Sequence, residues 1–461
     1  MISIRSARAL PLLVAGTMFM EQLDGTILVT ALPNIAHSFH VTAAELDLSV
    51  SGYLVTLAVM IPASGWIANR FGPKRIFGLS ITLFIVASML CGLSHSQWQL
   101  VAARILQGFG GATMVPVGRL LVLRETDKKD LIKAIAYLTW PALSAPLLGP
   151  PLGGLLTTYA SWHWIFYINV PLGLIALFFV WKVVPNTKEV VRSSFDIASF
   201  FLIGAASLGF LYGIELLGRP ASGFAASLGL LAFAVICGFL AVRRGLTRAA
   251  PLIPFSAFKE LTFRISMRGG GVFRGCLSAV PFLLPLLFQV GFGLDPVTSG
   301  TLLLAVFAGN LGMKPTTSWI LRHVGFRRSM IVSACVAIAT MLGCAALTGA
   351  TPHLVIIGLL FVSGLARSMQ FTTVSTLAFS DVPKPQMASA NTLFSIQQQG
   401  SNACGVAVAG AIARLSSYVR EGGAAQTATD FHVAFLVVAA IALVAMTDFF
   451  RVPKNAGAEL H

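Results

Sequence analysis

Long apolar runs follow one another along the whole chain, and short breaks of polar residues, proline or glycine separate them. Many runs reach the length of about 18 residues or more at which a helix crosses a bilayer, and they lack the ten-residue alternation of transmembrane β-strands. The pattern therefore predicts an all-α integral membrane protein. The fourteen predicted helices lie near residues 9–36, 45–69, 76–94, 97–123, 132–158, 163–184, 196–217, 222–243, 268–290, 297–321, 329–348, 353–379, 387–415 and 431–451.

A basic turn between two of these runs occurs twice in the chain. The stretches GWIANRFGPKR at residues 65–75 and SWILRHVGFRR at residues 318–328 share Trp, Ile, Gly and two cations at the same offsets. The spacing equals eight helices, so the seventh and eighth helices stand outside a repeat of six. This predicts an N-terminal six-helix bundle at 1–190, two linker helices with a basic connection at 191–260, and a C-terminal six-helix bundle at 261–461. Two halves facing each other across a cavity are typical of secondary transporters.

The composition agrees with a membrane protein and explains the high net charge. Hydrophobic residues make up 56% of the 461 residues, charged residues 11%, and the mean hydropathy is +0.82. The formal charge of +15 could indicate a nucleic-acid partner, but most of the 32 lysines and arginines lie at the termini or in every second connection. Because cytoplasmic loops are enriched in Lys and Arg, this bias places both termini in the cytoplasm and predicts a bilayer, not a nucleic acid, as the partner.

Several other classes of protein are not favoured by the sequence. The six cysteines lie singly in apolar runs, and the eight histidines show no HExxH-like spacing, so neither a metal site nor an enzyme is predicted. A receptor or scaffold would normally carry a soluble sensory domain, and no connection is long enough for one. The start of the chain runs into the first helix without a cleavage site, so no removable signal peptide is predicted. We expect no cofactor, with the proton gradient as the energy source.

Acidic residues in the first helix are candidates for proton coupling. Glu21 and Asp24 are three residues apart and therefore share one face of the helix. A carboxylate within a membrane span costs about 2.5–3.5 kcal/mol on insertion scales, so it is a functional candidate by default. The alternative is that one acid merely neutralises an intramembrane arginine, such as Arg104 of the fourth helix.

Intramembrane cations dominate the second half of the chain. Arg274, Lys314 and Arg367 lie well within their spans and have no acids nearby in sequence. Polar residues recur near them at helical spacing, and such stripes should face a water-filled cavity because exposure to lipid would be costly. The predicted solute-binding residues are Arg119, Arg274, Asn310, Lys314, Arg367, Gln370, Ser395, Gln398 and Asn402.

The balance of intramembrane charge favours an anionic solute. Five cations, including Arg104, face at most three acids, Glu21, Asp24 and Glu215. Arginine binds carboxylates and phosphates in a bidentate manner, so the cavity should attract small organic anions and repel lipophilic cations. The alternative is that these cations reach the interface or pair with distant acids. In that case the solutes would be a broad range of amphiphilic compounds.

Several motifs in order carry a resemblance to a known family. The chain resembles the major facilitator superfamily, and within it the fourteen-helix drug:proton antiporters of the EmrB/QacA type. The closest likeness is to the MdtD-type members. The stretches that carry the match are residues 23–33, 65–75, 104–111, 149–154 and 161–171, with 114–119 shared by the MdtD type.

The resemblance implies a fold and a mechanism. The fold would be two six-helix bundles plus two extra membrane helices, and inward proton flow would drive export by rocking of the bundles. Asp24 would be the helix 1 acid and Arg104 the helix 4 arginine of proton coupling. The antiporter motif would be Gly149 with Pro150, followed by Gly153 and Gly154.

The basic turn at residues 65–75 would control the conformational change. Its predicted gating residues are Gly65, Asn69, Arg70, Gly72 and Arg75. The family usually has Asp where this chain has Asn69, and that carboxylate is thought to hold the two bundles together in the outward-open state. Asn69 can hydrogen-bond but has no charge, so this latch should be weaker or supplied elsewhere.

Together these observations predict a proton-coupled antiporter of the bacterial cytoplasmic membrane. It would export small organic solutes, with organic anions such as citrate or carboxylate-type siderophores favoured. A broad multidrug exporter of amphiphilic compounds is the alternative. The oligomeric state and any periplasmic adaptor stay open.

Overall fold

The computed structural model describes residues 4–41, 43–185, 194–216, 224–248, 251–421, 426–454 and 456–457. In these residues the regular structure is helical, with no strand. The first half contains α1 (Ile4–Phe39), α2 (Ala43–Phe71), α3 (Pro73–Gly92), α4 (Gln97–Glu125), α5 (Leu131–Tyr159), α6 (Trp164–Tyr167), α7 (Asn169–Val183), α8 (Ile197–Leu216) and α9 (Phe224–Thr247). The second half contains α10 (Leu261–Met267), α11 (Gly269–Leu286), α12 (Pro296–Gly312), α13 (Lys314–Val324), α14 (Phe326–Ala345), α15 (His353–Ser380), α16 (Met387–Glu421) and α17 (Ala428–Met446).

Ten stretches of helix in the described part of the chain are long and apolar enough to cross a membrane. The number becomes twelve if each of two sharply bent helix pairs is one span. The prediction of an all-α membrane protein is confirmed, while the number of fourteen spans stays a prediction. The remaining two predicted helices, the fifth and the thirteenth, correspond to α5 and α16, which are not among these twelve.

Two sets of helices pack in the same way. In the first set, α1 packs against α5 and α7, α2 against α4, and α3 against α4 and α7. In the second set, α11 packs against α16 and α17, α12 against α15, and α14 against α15 and α17. We call α1–α7 the N-terminal bundle and α10–α17 the C-terminal bundle. The packing therefore repeats with the offset of eight predicted helices that the two basic turns indicate.

Three predicted helices are broken in the structure. The sixth consists of α6 and α7. The ninth, predicted at 268–290, consists of α11 and a π-helical turn at Leu287–Gly291, and α10 lies directly before it. The tenth divides into α12 and α13, whose axes differ by 49°. Pro315 follows the break, and proline cannot donate the backbone hydrogen bond that an uninterrupted helix needs. The break makes Lys314 the first residue of α13.

The helices α8 and α9 form a hairpin beside the bundles. They pack mainly on each other, and α8 also contacts α2 and α16, one helix from each bundle. Asp196 precedes α8 and accepts hydrogen bonds from Arg244 and Arg248 of the α9 end, at 3.1 Å and 3.0 Å. Burial alone would raise the pKa of this carboxyl, but the bonds from Ser199 and Arg244 hold its pKa below the usual range. This buried carboxylate joins the two helices at one end.

Candidate functional site: two acids of α1 and an arginine-lined cavity

Asp24 lies in a buried polar network inside the N-terminal bundle. Arg104 of α4 donates from Nη1 to Asp24 Oδ2, and both side chains are 1% exposed. Asp24 Oδ1 accepts hydrogen bonds from Gln107 at 2.9 Å and from Asn169 at 2.8 Å. The structure therefore brings together the predicted pair of Asp24 and Arg104. It also gives every oxygen of the carboxylate a donor.

Four uncharged residues that sequence reasoning did not single out also belong to this network. Gln107 and Asn169 both donate to Ser88 Oγ, at 2.8 Å and 3.3 Å. The Arg104 guanidinium lies over the Tyr53 ring, 4.2 Å from its centroid. A polar residue in an apolar span was the available signal, because burial of a polar group is costly unless it is hydrogen-bonded.

Glu21, one turn earlier on α1, has a much sparser environment. Tyr53 Oη donates to Glu21 Oε1 at 3.3 Å, and this is its one hydrogen bond among the described residues. The carboxyl is also in electrostatic reach of Asp24 and of the Arg119 guanidinium. Its helix neighbours Met18 and Gln22 line the cavity described next. Glu21 is thus placed between the buried network and the cavity.

A cavity of about 230 Å³ lies between α1, α4, α5, α11, α15 and α16, and we call it the central cavity. Among its lining residues are Arg119, Arg274, Arg367, Gln398 and Asn402, all predicted from the sequence. They come from both bundles. The structure therefore gathers three guanidinium groups, widely separated in sequence, around one small space.

The three arginines have uncharged partners. Arg119 Nη2 donates to Gln398 Oε1 at 3.2 Å and approaches Ser395 Oγ at 3.5 Å. Arg274 Nη2 donates to Ser375 Oγ at 3.3 Å. No acidic group forms an ion pair with any of the three within the described residues.

Arg367 shows the same pattern of incomplete pairing. Its Nη1 donates to the Leu277 carbonyl at 3.2 Å. The Nε atoms of Arg274 and Arg367 are buried without a hydrogen-bond partner in the described part of the chain. Both guanidinium groups lie near the Phe371 ring, 4.5 Å and 5.2 Å from its centroid. Buried cationic donors without partners indicate a site that a bound anion can complete.

Lys314 joins the two bundles beside the central cavity. Its Nζ donates to Thr139 of α5 at 2.7 Å and to Thr372 of α15 at 2.9 Å, and the residue is 8% exposed. Thr139 also lines the central cavity. The ammonium group therefore lies one hydrogen bond away from the cavity lining, with hydroxyl groups as its partners.

Four predicted solute-binding residues do not line the central cavity, namely Asn310, Lys314, Gln370 and Ser395. Gln370 donates to the Met330 carbonyl of α14 at 2.6 Å, and Asn310 is buried between α12 and α15. Gln370 points about 60° away from Arg367 around the α15 axis, and in this packing that difference directs it to α14 instead of the cavity. The structure thus divides the predicted polar stripe into a cavity face and a packing face.

The basic turns have the same backbone geometry in both bundles. Gly72 joins α2 to α3 with φ 90°, and Gly325 joins α13 to α14 with φ 83°. Such φ values are strained for residues with a side chain, which explains glycine at both positions. Asn69 Oδ1 accepts a hydrogen bond from Arg124 of α4 at 2.8 Å. The uncharged residue therefore makes its contact inside the N-terminal bundle.

The other residues of the predicted gate differ in placement. A side chain at Gly65 of α2 would overlap Thr392 of α16, so Gly65 lies in close contact between the bundles. Arg70 is half-buried in the last turn of α2, and Arg75 is exposed in the first turn of α3. The structure brings only Gly65 of this set directly against the C-terminal bundle.

The glycines of α5 differ from one another in their surroundings. A Cβ at Gly149 would overlap Thr26 of α1, and a Cβ at Gly153 would overlap Thr30. Gly154 has open space, and the Pro150 side chain lies outside the described residues. The close contact of α1 with α5 therefore depends on Gly149 and Gly153.

Comparison with known proteins defines the class. The family described as Major Facilitator Superfamily matches residues 14–405, so the chain belongs to it, as the motifs indicated. It is a multi-pass membrane transporter of small molecules, and the family is one of transporters, not of enzymes.

Similar curated proteins include the "Putative multidrug resistance protein MdtD" of Pectobacterium carotovorum. It is 36% identical over 449 residues, covering 96% of this chain and 95% of that protein. The protein of the same name from Escherichia coli is 34% identical over 455 residues, covering 96% and 94%. A bacterial inner membrane fits these relatives, while the orientation of the termini stays a prediction.

Two solved structures share the fold. The human organic anion transporter MFSD10 has a TM-score of 0.69 at 13% identity, covering 96% of this chain and 99% of that one. The proton:xylose symporter XylE has a TM-score of 0.68 at 13% identity, covering 98% and 97%. At this identity the likeness establishes the fold alone.

Proposed function

We propose that the protein exports small organic anions across the cytoplasmic membrane in exchange for protons. Compounds with several carboxylates, such as citrate or carboxylate-type siderophores, are the favoured solutes. The observation that carries this proposal is the set of Arg119, Arg274 and Arg367 around the central cavity, with uncharged partners. The relatives named as multidrug resistance proteins support the direction of transport.

Electrostatics explains why an anion suits this cavity. Three guanidinium groups around about 230 Å³ repel one another, and removal from water costs several kcal/mol for each ion. A solute carboxylate supplies the missing negative charge and accepts the unpartnered N–H groups in a bidentate manner. A lipophilic cation would add to the repulsion. The same geometry therefore attracts anions and disfavours the usual cationic drugs.

The membrane potential favours export of an anion. One elementary charge moved across the membrane gains about 2.3 kcal/mol per 100 mV, and the cytoplasm is the negative side. A citrate-like solute leaving the cell moves in the favourable direction. Protons entering in exchange add the energy of the pH gradient to that of the potential.

Glu21 is the stronger candidate for the exchanged proton. Asp24 pairs with Arg104 and accepts two further hydrogen bonds, so protonation would break a buried ion pair. Glu21 has a single hydrogen bond, from Tyr53, and lies beside the central cavity. We therefore assign proton exchange to Glu21, and a structural role beside it to Asp24 with Arg104.

A second candidate function is export of amphiphilic compounds. Phe371, Phe379 and Phe394 line the central cavity together with the arginines. Aromatic rings offer apolar contact area and bind cations through their faces, so a mixed solute could bind them. The arginines distinguish the two candidates, because they repel a cationic compound and form no ion pair with an uncharged one.

Transport in liposomes tests the proposal. Purified protein is reconstituted with a pH gradient, and uptake of labelled citrate is compared with uptake of ethidium. We expect gradient-driven citrate movement that ethidium does not inhibit. Ethidium movement without citrate movement would contradict the anion proposal. Citrate movement that depends on the membrane potential but not on the pH gradient would contradict the proton-exchange part of the proposal and leave the anion part intact.

Matched arginine variants identify the residues responsible. We expect Arg274→Ala and Arg367→Ala to weaken citrate binding by about tenfold to a hundredfold, since a hydrogen bond to a charged group contributes about 1.5–3 kcal/mol. Arg274→Lys keeps the charge but loses the planar fork, so it should restore binding only in part. Arg328→Ala, at an exposed position of α14, is the control. Normal citrate affinity in both alanine variants would refute the assignment.

A further inference from the structure

A second and larger cavity lies outside the central one. It has a volume of about 890 Å³ and lies between α2, α8, α9, α11 and α16, and we call it the lateral cavity. Its walls are almost entirely apolar, and small residues such as Ala206, Gly238, Ala403 and Ala407 form much of them. The lateral cavity thus lies between the hairpin of α8 and α9 and the two bundles.

The lateral cavity is about as long as the hydrocarbon core of a membrane is thick, and it is open on one side. Along α16 its lining runs from Leu393 to Arg414, about 30 Å at the rise of an α-helix, close to the thickness of the hydrocarbon core. Val235 of α9 lines the cavity and is still 70% exposed. The cavity is therefore a groove on the lipid-facing side and not a sealed void.

Hydrocarbon is the chemistry that fits this groove. Water does not fill an apolar cavity stably, and an empty space would cost the dispersion contacts of its whole lining. The volume corresponds to about 30 methylene groups if each occupies about as much space as a water molecule, which is on the scale of the two chains of one lipid. Arg414 lies at one end, exposed, where its guanidinium can bind a phosphate.

We propose that a diacyl phospholipid of the bilayer occupies the lateral cavity, with its acyl chains in the groove and its phosphate at Arg414. Asn402 lines both cavities, and the lipid site shares no other lining residue with the proposed anion cavity and does not depend on anion transport. The lipid fills the space between α8, which contacts both bundles, and the bundles themselves. Fluid chains can repack when the bundles move, whereas fixed side chains would leave voids or overlaps.

Native mass spectrometry of the protein in mild detergent tests this site. We expect the wild type to retain phospholipid. The double variant Gly238→Phe/Ala407→Phe fills the groove from opposite walls, so it should retain at least threefold less phospholipid. Gly229→Phe, on α9 outside the lateral cavity, is the matched control and should retain lipid. Arg414→Gln should reduce retention without filling the groove.

Three outcomes would overturn the proposal. The wild type could retain no phospholipid, or the filled double variant could retain as much as the Gly229→Phe control. A long-chain carboxylate or ethidium could displace the lipid and then be transported, which would assign the groove to the solute. Thermal unfolding and citrate binding of the double variant verify that its fold and central cavity are intact.

Discussion

Asp24 and Glu21 lie three residues apart on α1, and their neighbours give them different chemistry. Asp24 is buried with a paired arginine and two amide donors. Glu21 has one tyrosine hydroxyl and a place beside the central cavity. A group that must gain and lose a proton in each cycle needs surroundings that tolerate both forms, and Glu21 meets that condition.

Exchanging each acid for its amide separates the two roles. Asp24→Asn leaves Arg104 as a buried unpaired cation, and breaking such a pair costs about 3–5 kcal/mol, so we expect a large fall in melting temperature. Glu21→Gln keeps a partner for Tyr53 and should leave the melting temperature unchanged while abolishing pH-gradient-driven transport. Thermal unfolding in detergent and liposome flux are the measurements. Full proton-driven flux in Glu21→Gln would show that another group carries the proton.

At the scale of elements, the breaks and close contacts of helices place the chemistry. The break between α12 and α13 puts Lys314 at a helix start, where it reaches Thr139 across the bundle boundary and Thr372 within its own bundle. Within the N-terminal bundle, α5 approaches α1 closely because Gly149 and Gly153 have no side chains to obstruct it. Small residues allow this approach in membrane helices, where packing replaces the hydrophobic effect.

Neighbouring glycines of α5 provide a matched test of this packing. Gly153→Ala places a methyl group against Thr30, and overpacking of this kind costs about 1–3 kcal/mol, so the melting temperature should fall. Gly154→Ala enters open space and should have little effect or stabilise the helix slightly. Thermal unfolding of both purified variants compares them directly. Equal destabilisation would indicate that backbone flexibility, and not the contact with α1, requires glycine here.

At the scale of the molecule, contacts join the bundles at the end that carries the two basic turns. Asn391 of α16 donates to the Pro116 carbonyl of α4 at 2.8 Å, and Arg322 donates to the Lys129 carbonyl at 3.2 Å. Gly65 contacts Thr392 at the same end. Because alternating access needs the bundles to separate there, these contacts define a closed state of the basic end.

A disulfide across this contact tests the rocking movement. A Cβ at Gly65 would lie 3.6 Å from Thr392 Cβ, within the usual separation of a disulfide. We expect Gly65→Cys/Thr392→Cys, in a background with Cys335 and Cys404 replaced by Ser, to cross-link under mild oxidation. Transport should stop and return after reduction.

Each single-cysteine variant controls for effects of the substitutions themselves. It should remain active under oxidation, because neither thiol alone can close the bundle boundary. Undiminished transport by the fully cross-linked protein would show that the bundles do not separate at this end.

Sequence periodicity and motifs were sufficient to predict the all-α membrane fold and the family. Apolar run length fixes membrane helices because a bilayer accepts only backbone that satisfies its own hydrogen bonds. The repeated turn predicted two equivalent bundles, and Gly72 and Gly325 have matching backbone geometry. The intramembrane cations marked the central cavity, since a charge within lipid needs a functional reason.

What the sequence alone determined about this protein is its class, its repeated architecture and the residue types available for chemistry. Only the tertiary structure decided which of those residues meet. It paired Asp24 with Arg104, left Glu21 beside the cavity, and turned Gln370 toward α14. Helical spacing fixes the direction of a side chain relative to its own helix, but the neighbour it faces depends on how distant helices pack.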